Sequence, residues 1–453
     1  MIAGMSRRSR SSAAATAIAS IAVSVLLSGC GDLSLPTSET HSLKTWSSVS
    51  IYRISCPTEG RCVAIGDRQR GDKDQLVFVK QQGAVWSVPI SGPWLGANDA
   101  AGNARISCSS PDNCVTASAT DILAAISPRQ VGWGRTDHLP FTDKDGRSRL
   151  QSSLACSPRG LCWAIVEHEV RGSDPPRTLR TLTYAIGEQN GQWLRPFLLG
   201  PKSLTDGRRP VIGSAVITCW SLSSCTVGGF GASLTTREIF VQTEVNGRWG
   251  LPSVAPASFY TTSPERMTCT STGTCLLVGT VGPKQLSAVE QESNGHWQRP
   301  VLNLGPGVPY VDSYLSAVAC NSTALCFVAG ESYRTQDSGG VPFVQVEVRG
   351  HWRRPVLIRE PGRGALYVAG AECPTASSCV FAGEFDTFST SRSFVATYAA
   401  SVWHYLPAVV DGVRNDVFLL GMSCSRSSCW VSGTVGPSKK IPTGVVYQLP
   451  ALT

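Results

Sequence analysis

Cysteine pairs recur along this chain at a nearly constant interval. Five residues separate the two cysteines in seven pairs and four in the last pair, and successive pairs begin 48 to 63 residues apart. A regular period of this length is typical of a repeat architecture, in which each repeat is one supersecondary unit. The pairs are Cys56 and Cys62, Cys108 and Cys114, Cys156 and Cys162, Cys219 and Cys225, Cys269 and Cys275, Cys320 and Cys326, Cys373 and Cys379, and Cys424 and Cys429.

Each repeat carries the signals of four short β-strands. An apolar stretch leads to the first cysteine, a polar turn follows, and the second cysteine opens an apolar run that ends near glycine, as in CVAIG and CFVAG. An alternating strand such as IFVQTEV comes next, and a turn such as Asn246-Gly247 leads to a tryptophan. Asn-Gly between β-formers is a strong hairpin signal, because both turn residues need positive φ.

Four antiparallel strands in every repeat predict an all-β fold, a single β-propeller. The eighth repeat, from Val417 to about Leu449, has no tryptophan strand, whereas the segment 41–49 contains Trp46 and precedes the first repeat. This N-terminal strand is expected to complete the last blade and to remove an open sheet edge. We therefore predict eight four-stranded blades within residues 42–453; seven blades and a non-closing array are the alternatives.

Three interpretations compete for the cysteine pairs. A zinc site would need further soft ligands nearby, yet a whole repeat isolates each pair and the chain has six histidines. A redox switch would be a single pair at the start of a helix rather than eight copies in hairpins. Facing positions on adjacent antiparallel strands are close enough for a disulfide, and an oxidising compartment favours the bond. We therefore predict eight disulfides.

The N-terminus has the features of a signal peptide rather than of the fold. Three arginines precede a short run rich in alanine and serine, which is too short for a stable membrane span. The next residues, Leu27-Ser28-Gly29-Cys30, resemble the lipobox of bacterial lipoproteins, which implies that Cys30 is diacylated and begins the mature chain. An ordinary secretory signal is the alternative. We expect a signal peptide at 1–29, a tether at 30–41, and a lipid-anchored protein on the extracytoplasmic face of the cell membrane.

The charge of the chain excludes some partners. Removing residues 1–29 deletes three arginines and no acidic residue, so the net charge falls from +8 to +5. This mild charge on a large surface is not the clustered basic face of a nucleic-acid-binding protein. Arginines outnumber lysines 32 to 8, a bias that we associate with a high-GC genome and, together with the lipobox, with an actinobacterium.

The usual carriers of chemistry give no convergent site in the sequence. His296 and His351 occupy the same slot before a tryptophan in two repeats, which indicates a scaffold position rather than a catalytic group. Asp143 and Asp145 form only a fragment of a calcium loop. Residues 70–72 spell Arg-Gly-Asp, but a tripeptide recurs by chance in a long chain. We therefore predict no metal, no cofactor and no catalytic residues.

The third repeat is the longest and suggests one candidate binding region. Its insertions contain Arg177, Arg180, Arg208 and Arg209, which would form a basic rim for an anionic partner such as a lipid headgroup, a phosphate or an acidic polysaccharide. A purely solubilising role is the alternative, and the one that the sequence favours.

The repeat ISCxSxxxCxAVG…NGxW, which covers nearly all of residues 42–449, resembles the cysteine-stapled propeller repeats of secreted actinobacterial proteins. The turn before the tryptophan is also similar to the Asp box of sialidase-like propellers, of which Gly247 and Trp249 remain. Quinoprotein dehydrogenases share a Gly-x-Trp turn, but their adjacent cysteines are missing here.

We expect a membrane-anchored binding module that is not an enzyme, is monomeric and recognises an unidentified envelope protein or glycan. The alternative is a glycan-acting hydrolase or lyase of the cell envelope, which paired carboxylates and an arginine at the central mouth would favour.

Overall fold

Every described element of the computed structural model is a β-strand. Among the described residues, no helix is long and apolar enough to cross a membrane. The structure describes residues 43–70, 73–94, 104–117, 122–126, 136–138, 146–171, 179–189, 192–203, 211–232, 237–255, 261–281, 286–293, 296–298, 301–302, 304–306, 312–322, 325–334, 340–358, 364–387, 391–399, 401–407, 417–425, 428–436 and 443–449.

The strands form four- and five-stranded antiparallel sheets, each corresponding to one repeat. Seven of these sheets are blades built from one uninterrupted stretch of chain. Blade 1 contains β2 (Ser50–Thr58), β3 (Arg61–Arg70), β4 (Lys73–Gln82), β5 (Val85–Trp86) and β6 (Ile90–Trp94), and blade 2 contains β7 (Arg105–Ser110), β8 (Asn113–Ala117), β9 (Ile122–Ile126) and β10 (Thr136–His138). Blade 3 contains β11 (Gly146–Cys156), β12 (Leu161–Arg171), β13 (Leu179–Gln189), β14 (Gln192–Trp193) and β15 (Phe197–Leu198). Blade 4 contains β16 (Val211–Ser221), β17 (Ser224–Ala232), β18 (Arg237–Val245), β19 (Arg248–Trp249) and β20 (Ser253–Val254).

Blades 5 to 7 follow the same plan. Blade 5 contains β21 (Thr261–Cys269), β22 (Thr274–Val281), β23 (Leu286–Ser293), β24 (His296–Trp297) and β25 (Val301–Leu302). Blade 6 contains β26 (Asp312–Ser322), β27 (Leu325–Tyr333), β28 (Val341–Val348), β29 (His351–Trp352) and β30 (Val356–Leu357). Blade 7 contains β31 (Gly364–Glu372), β32 (Cys379–Thr387), β33 (Ser391–Ala399) and β34 (Val402–Pro407). Uninterrupted repeats thus supply seven blades, not the eight obtained by counting cysteine pairs, while the four-stranded plan and the all-β propeller are confirmed.

The remaining sheet, which we call the closing sheet, is assembled from both ends of the described chain. β1 (Leu43–Ser47) pairs with β37 (Thr443–Gln448), which continues through β36 (Cys429–Val435) to β35 (Val417–Cys424). Trp46 faces Gly444 in this pairing, nearer the far end of the sheet than the hairpin tryptophans, which face the end of the third strand as Trp249 faces Glu244. Trp46 therefore does not continue the series of hairpin tryptophans, although it is buried.

The hydrophobic core lies between neighbouring sheets rather than at one centre. Each junction encloses its own cluster, from Ile65 and Ala104 between blades 1 and 2 to Val395 and Leu419 between blade 7 and the closing sheet. At the junction between the closing sheet and blade 1, Trp86 makes edge-on contacts with Trp46 and Trp430, with ring centroids 6.0 and 5.5 Å apart. The first strands β2, β7, β11, β16, β21, β26, β31 and β35 contact one another in this order, and β35 contacts β2. Together these first strands surround a central channel.

The two ends of every sheet differ. Because adjacent strands are antiparallel, the turn between the cysteines and the hairpin before the tryptophan lie at one end, which we call the cysteine face. In the hairpin of blade 4, Asn246 and Gly247 have φ of 52° and 82°, as the Asn-Gly signal predicts. The connections from the second to the third strand, and from one blade to the next, leave at the opposite end, which we call the loop face.

All eight predicted disulfides are present, so the interpretation of the cysteine pairs as covalent staples is confirmed. Their Cα atoms are 3.9 to 4.1 Å apart. In most sheets the two cysteines face each other directly across the first two strands, as Cys219 faces Cys225. The bonds join Cys56 to Cys62, Cys108 to Cys114, Cys156 to Cys162, Cys219 to Cys225, Cys269 to Cys275, Cys320 to Cys326, Cys373 to Cys379, and Cys424 to Cys429.

The second cysteine of each pair is more deeply buried than the polar turn that precedes it. Cys62, Cys114, Cys162 and Cys326 are all buried at the start of the second strand, where the apolar run that each of them opens packs between neighbouring sheets. The disulfides therefore lie at the edge of the core rather than on the solvent-exposed tip of the turn.

In six of the eight repeats a glycine stands four residues after the second cysteine, and this glycine has a steric reason. A β-bulge interrupts the first strand of several blades, as between Ile51 and Arg53 in blade 1 and between Leu315 and Ala317 in blade 6. The bulge brings a first-strand carbonyl against the second strand, and a Cβ atom at Gly66 would lie 1.6 Å from the carbonyl oxygen of Ser50. Only glycine fits there.

The fourth strand is shorter than the sequence suggests. In five blades a proline stands three residues after the tryptophan, as Pro196 follows Trp193, and the strand is split into two pieces of two to five residues. Proline has no N–H to donate to the third strand, so it is tolerated on an outer edge but interrupts pairing. In blade 7 the proline comes one residue later, and β34 is continuous.

Candidate functional site

Most of the predicted binding residues lie outside the described part of the chain. This applies to Cys30, Arg177, Arg208 and Arg209. Arg180 belongs to β13, where it faces Val170, but its side chain is not among those described. The basic rim and the lipid anchor therefore stay predictions.

The histidines and acidic residues singled out in the sequence form no metal site in the described structure. His296, His351 and His404 are exposed on the cysteine-face hairpins. Residues 71 and 72 and the pair Asp143 and Asp145 lie outside the described residues. Where the structure does describe side chains, it contains no group of three or more metal-ligating residues.

Three arginines occupy one level of the central channel. Arg53, Arg105 and Arg266 each stand three residues before the first cysteine of their repeat, on the first strands of blades 1, 2 and 5. Positions at this level lie against the next first strand, since a Cβ atom at Gly421 would lie 2.9 Å from the Cα atom of Arg53. The same level carries Ser153, Val216, Ala317, Gly370 and Gly421 in the other sheets, so most positions at this level have small side chains.

The arginine charges repel one another. Burial, and then repulsion by Arg105 and Arg266, lowers the pKa of Arg53 to about 9. Burial and Arg266 lower the pKa of Arg105 to about 10. Because blades 1 and 5 are far apart around the ring, Arg53 and Arg266 interact by reaching across the channel. Arg53 and Arg105 stay charged at neutral pH, so this level of the channel is a focus of positive potential.

Next to Arg53, two carboxyl groups lie at the loop-face end of blade 1. The Tyr52 hydroxyl donates a hydrogen bond of 2.8 Å to Asp67, and the Arg53 guanidinium donates one of 2.9 Å to the carbonyl oxygen of Tyr52. Burial raises the pKa of Asp67, the hydrogen bond from Tyr52 opposes this, and the charge of Asp74 raises the pKa further. The two aspartates are thus close enough to interact, with a guanidinium on the neighbouring residue.

A second cluster lies at the loop face between blades 6 and 7. The Tyr333 hydroxyl and the backbone N–H of Leu366 both donate hydrogen bonds to Glu331, which is buried. Tyr314 packs edge-on against Tyr333, with ring centroids 5.6 Å apart. Burial raises the pKa of Tyr333, as do Glu331, Tyr314 and Tyr367, so the three phenol rings are neighbours. We call Tyr314, Tyr333 and Tyr367 the tyrosine cluster.

One buried carboxyl group lies away from both clusters, between blades 4 and 5. Glu290 is 3% exposed, and neither of its carboxylate oxygens has a hydrogen-bond partner among the described residues. Burial raises its pKa to about 7. This carboxyl group therefore favours the protonated form up to neutral pH.

The equivalent residues in the neighbouring blades explain why Glu290 is isolated. Gln242 in blade 4 donates from Nε2 to the carbonyl oxygen of Gly250 at 2.8 Å and accepts at Oε1 from the N–H of Gly200 at 2.9 Å. Gln345 in blade 6 makes the same two bonds, to Arg353 and from Gly305. A carboxylate cannot donate the first bond. The second bond needs a backbone N–H from the preceding blade. In blade 4 the residue at the position of Gly200 is Pro256, which has no N–H to donate to Glu290.

Neighbouring first strands are joined by a recurring side-chain hydrogen bond. The residue before the first cysteine accepts from the backbone N–H of the next blade's first cysteine: Ser55 from Cys108 at 3.1 Å and Ser107 from Cys156 at 3.0 Å. Ser423 accepts likewise from Cys56, across the junction of the two chain ends. At blade 7 Glu372 replaces the serine and accepts from Cys424 at 2.9 Å, while burial raises its pKa to about 7.

Sequence reasoning missed both clusters, although a signal for each is present. Three residues before the first cysteine, three of the eight repeats have arginine and the other five do not. Arginine at this position is therefore an exception to the repeat pattern. The glycine after the second cysteine is followed by an acidic residue in three repeats, namely Asp67, Glu331 and Glu384. Comparing the repeats position by position for such exceptions would have found them.

Comparisons with known proteins give only distant structural likenesses. No protein-family profile and no curated protein sequence matches it. Among solved structures, it is similar to YCF48 bound to D1 peptide, with a TM-score of 0.44 and 12% identity over 76% of this chain and 90% of that one. It is also similar to a polysaccharide lyase of the PL25 ulvan lyase family, with a TM-score of 0.49 and 9% identity over 81% of this chain and 98% of that one. The GH74 xyloglucanase from Xanthomonas campestris has a TM-score of 0.41 and 11% identity over 73% of this chain and 52% of that one.

The expectation that the chain is not an enzyme is contradicted by these comparisons. Solved propellers with a similar fold include polysaccharide lyases and a glycoside hydrolase as well as a peptide-binding protein. The lack of a recognisable catalytic motif in the sequence was the reason for that expectation, and it is no reason to exclude catalysis on this fold. At these identities the likeness concerns the fold alone.

Proposed function

We propose that this protein binds an anionic ligand, an acidic glycan, in the central channel of its propeller. The observation that carries the proposal is the convergence of Arg53, Arg105 and Arg266 from three blades at one level of the channel. Bringing like charges together is unfavourable, and a bound anion would relieve that repulsion. Guanidinium groups match carboxylate, sulfate and phosphate groups through paired N–H donors.

The architecture that we propose around this channel is a ring of eight blades with the closing sheet as the eighth. Two features support it: β35 contacts β2, and separate hydrophobic clusters lie on both sides of the closing sheet. An eight-bladed ring leaves a wider axis than a seven-bladed one, which suits a ligand larger than a single ion. An experimental structure with the closing sheet outside the ring would refute this count.

We further propose that the propeller is tethered outside the cytoplasm through a lipid on Cys30, where envelope glycans are the abundant polyanions. The lipobox-like sequence and the eight disulfides support this location. Membrane fractionation of a Cys30→Ala variant tests the tether. The variant is expected in the soluble fraction, and retention in the membrane would contradict the proposal.

Titration calorimetry of the whole chain with an oligogalacturonide tests the channel. Replacing Arg53, Arg105 or Arg266 by glutamine should weaken binding about ten- to a hundredfold each, because a charge-assisted hydrogen bond contributes about 1.5 to 3 kcal/mol. Added salt should weaken binding as well. Arg354→Gln, at an exposed edge position, is the matched control and should bind like the unchanged protein. Equal binding by all four variants would refute the proposal.

Cleavage of the bound glycan is a second candidate function, favoured by Asp67 and Asp74. Hydrolysis of a glycosidic bond uses a pair of carboxyl groups, one of which must donate a proton, and the raised pKa of Asp67 suits it to that role. Arg53 stands beside this pair. Incubating the protein with acidic polysaccharides, and measuring reducing ends and the absorbance of unsaturated products, tests the idea. Products that form equally with Asp67→Asn would exclude Asp67 as the acid.

A further inference from the structure

The tyrosine cluster has the composition of a sugar-binding surface. Tyr367 leaves 59% of its area exposed, and an exposed aromatic ring offers an apolar face that the C–H groups of a pyranose ring can cover. Tyr333 lies near it, and Tyr314 packs against Tyr333. Exposure of so large a side chain beside two other aromatic rings is a typical feature of a binding surface rather than of a solvated one.

Hydrogen bonds and packing hold two of the three rings, Tyr333 and Tyr314, in place. Glu331 accepts hydrogen bonds from the Tyr333 hydroxyl and from the backbone of the next blade, which fixes Tyr333 at the junction. Tyr333 in turn contacts Tyr314 edge-on. A Cβ atom at Gly340 would lie 2.4 Å from a Glu331 oxygen and 3.1 Å from the Tyr333 ring, so glycine there keeps the arrangement free of a clash. Rings that are fixed before binding lose less entropy when a ligand arrives.

The tyrosine cluster is aligned with the arginines along the channel. Tyr314 and Tyr367 stand three residues before Ala317 and Gly370, which occupy the arginine level on blades 6 and 7. Three residues of strand span roughly 10 Å. Arg266 lies on blade 5, next to blade 6. A ligand that reaches from the loop face to the arginines would therefore pass beside the tyrosines.

We propose that the tyrosine cluster is a saccharide subsite, so that the anionic ligand of the channel is an oligosaccharide chain rather than a free anion. A sugar ring stacks on Tyr367 at the loop face, while an acidic group further along the same chain meets the guanidinium groups. This inference rests on the proposed function for its second half. The stacking of a sugar ring on Tyr367 does not depend on the arginines.

Calorimetric titrations with inorganic sulfate, an oligogalacturonide and a neutral oligosaccharide of equal length separate the two parts. Tyr367→Ala should weaken binding of the oligogalacturonide roughly three- to tenfold, because an aromatic contact contributes about 0.5 to 1.5 kcal/mol. It should leave sulfate binding unchanged. Tyr367→Phe keeps the ring and should bind like the unchanged protein. Arg53→Gln should weaken both the oligogalacturonide and sulfate.

Each outcome bears on one claim. Binding of the oligogalacturonide that is unaffected by Tyr367→Ala overturns the saccharide subsite, and so does binding of sulfate without binding of the oligogalacturonide. Failure of both anions to bind overturns the proposed function instead. In that case binding of the neutral oligosaccharide that falls with Tyr367→Ala still supports the subsite, and its absence overturns the subsite as well.

Discussion

The two faces of the propeller are built from the same strands but have different chemistry. At the cysteine face the turns are short and repeat from blade to blade, with a disulfide across the first two strands of every sheet. At the loop face the residues change from blade to blade, and Asp67, Glu331 and the tyrosine cluster all lie there. The comparison teaches that this repeat protein separates its functions along the strand direction. One end carries the disulfides that stabilise the sheets, and the other end, with the channel, carries the side chains on which the proposed binding depends.

Closure of the ring gives the largest expected effect on stability. Replacing Trp46 by alanine removes a buried indole that contacts Trp86 across the junction of the two chain ends. We expect the free energy of unfolding to fall by about 3 to 5 kcal/mol. Denaturant unfolding measures this, and Lys44→Ala, at an exposed position of the same strand, is the matched control. An effect no larger than that of the control would show that closure does not depend on this contact.

Replacing Glu290 gives the second largest expected effect on stability, and this effect depends on pH. Its pKa is raised in the folded state, so the folded protein binds a proton more tightly than the unfolded one. Stability is therefore fullest below the unfolded pKa near 4.3 and falls by about 1.4 kcal/mol per pH unit as the pH rises toward about 7. Glu290→Gln should remove this loss and restore the donor that Gln242 and Gln345 supply. The gain should reach about 4 kcal/mol near pH 8 and vanish near pH 4.

Gln242→Glu is the matched reverse change. It should introduce the same loss of stability with rising pH at the junction of blades 3 and 4, where the Gly200 N–H still offers one hydrogen bond. Unfolding midpoints measured from about pH 4 to pH 8 compare the two variants. If Glu290→Gln were no more stable near pH 8 than the unchanged protein, the carboxyl group would not be an isolated buried group.

Removal of one disulfide gives the smallest effect and tests the division between the faces. Replacing Cys269 and Cys275 by alanine frees a short loop, which should lower the free energy of unfolding by about 2 kcal/mol. Affinity for an anionic ligand should not change at temperatures where the variant is folded. Tyr367→Ala should do the reverse. A disulfide variant that is fully folded, as judged by circular dichroism, but loses affinity would break the proposed division.

The sequence predicts the fold far better than it predicts the candidate site. The regular spacing of cysteines, the Asn-Gly turns and Trp46 ahead of the first repeat lead to the sheets, the disulfides and the pairing of β1 with the last repeat. These features depend on local turn chemistry and on periodicity, which a single sequence displays directly. The split of the outer strand at Pro196 follows from the missing N–H of proline, and it could have been predicted from the same motif.

The arginine level and the tyrosine cluster depend on closure of the ring. Arg53 and Arg266 are separated by more than two hundred residues in the sequence, and only the arrangement of blades brings them together. Repetition also directs attention to positions that recur, whereas Arg105 and Tyr367 are exceptions at such positions. The binding site was predicted at the insertions with Arg177 and Arg208 because these loops are long. The length of a loop does not show which side chains lie close together in the folded protein.

The prolines that divide the outer strands have a consequence for how these molecules meet one another. An outer strand of a propeller blade is an unpaired edge, and a series of similar edges around one ring would invite strands of neighbouring molecules to add to them. Division by proline leaves pieces as short as two residues in blades 3 to 6, too short to template a continuous ladder. Arg195 and Arg354 stand exposed beside the break, adding charge to the rim. We therefore expect the divided outer strands to oppose edge-to-edge pairing between neighbouring molecules.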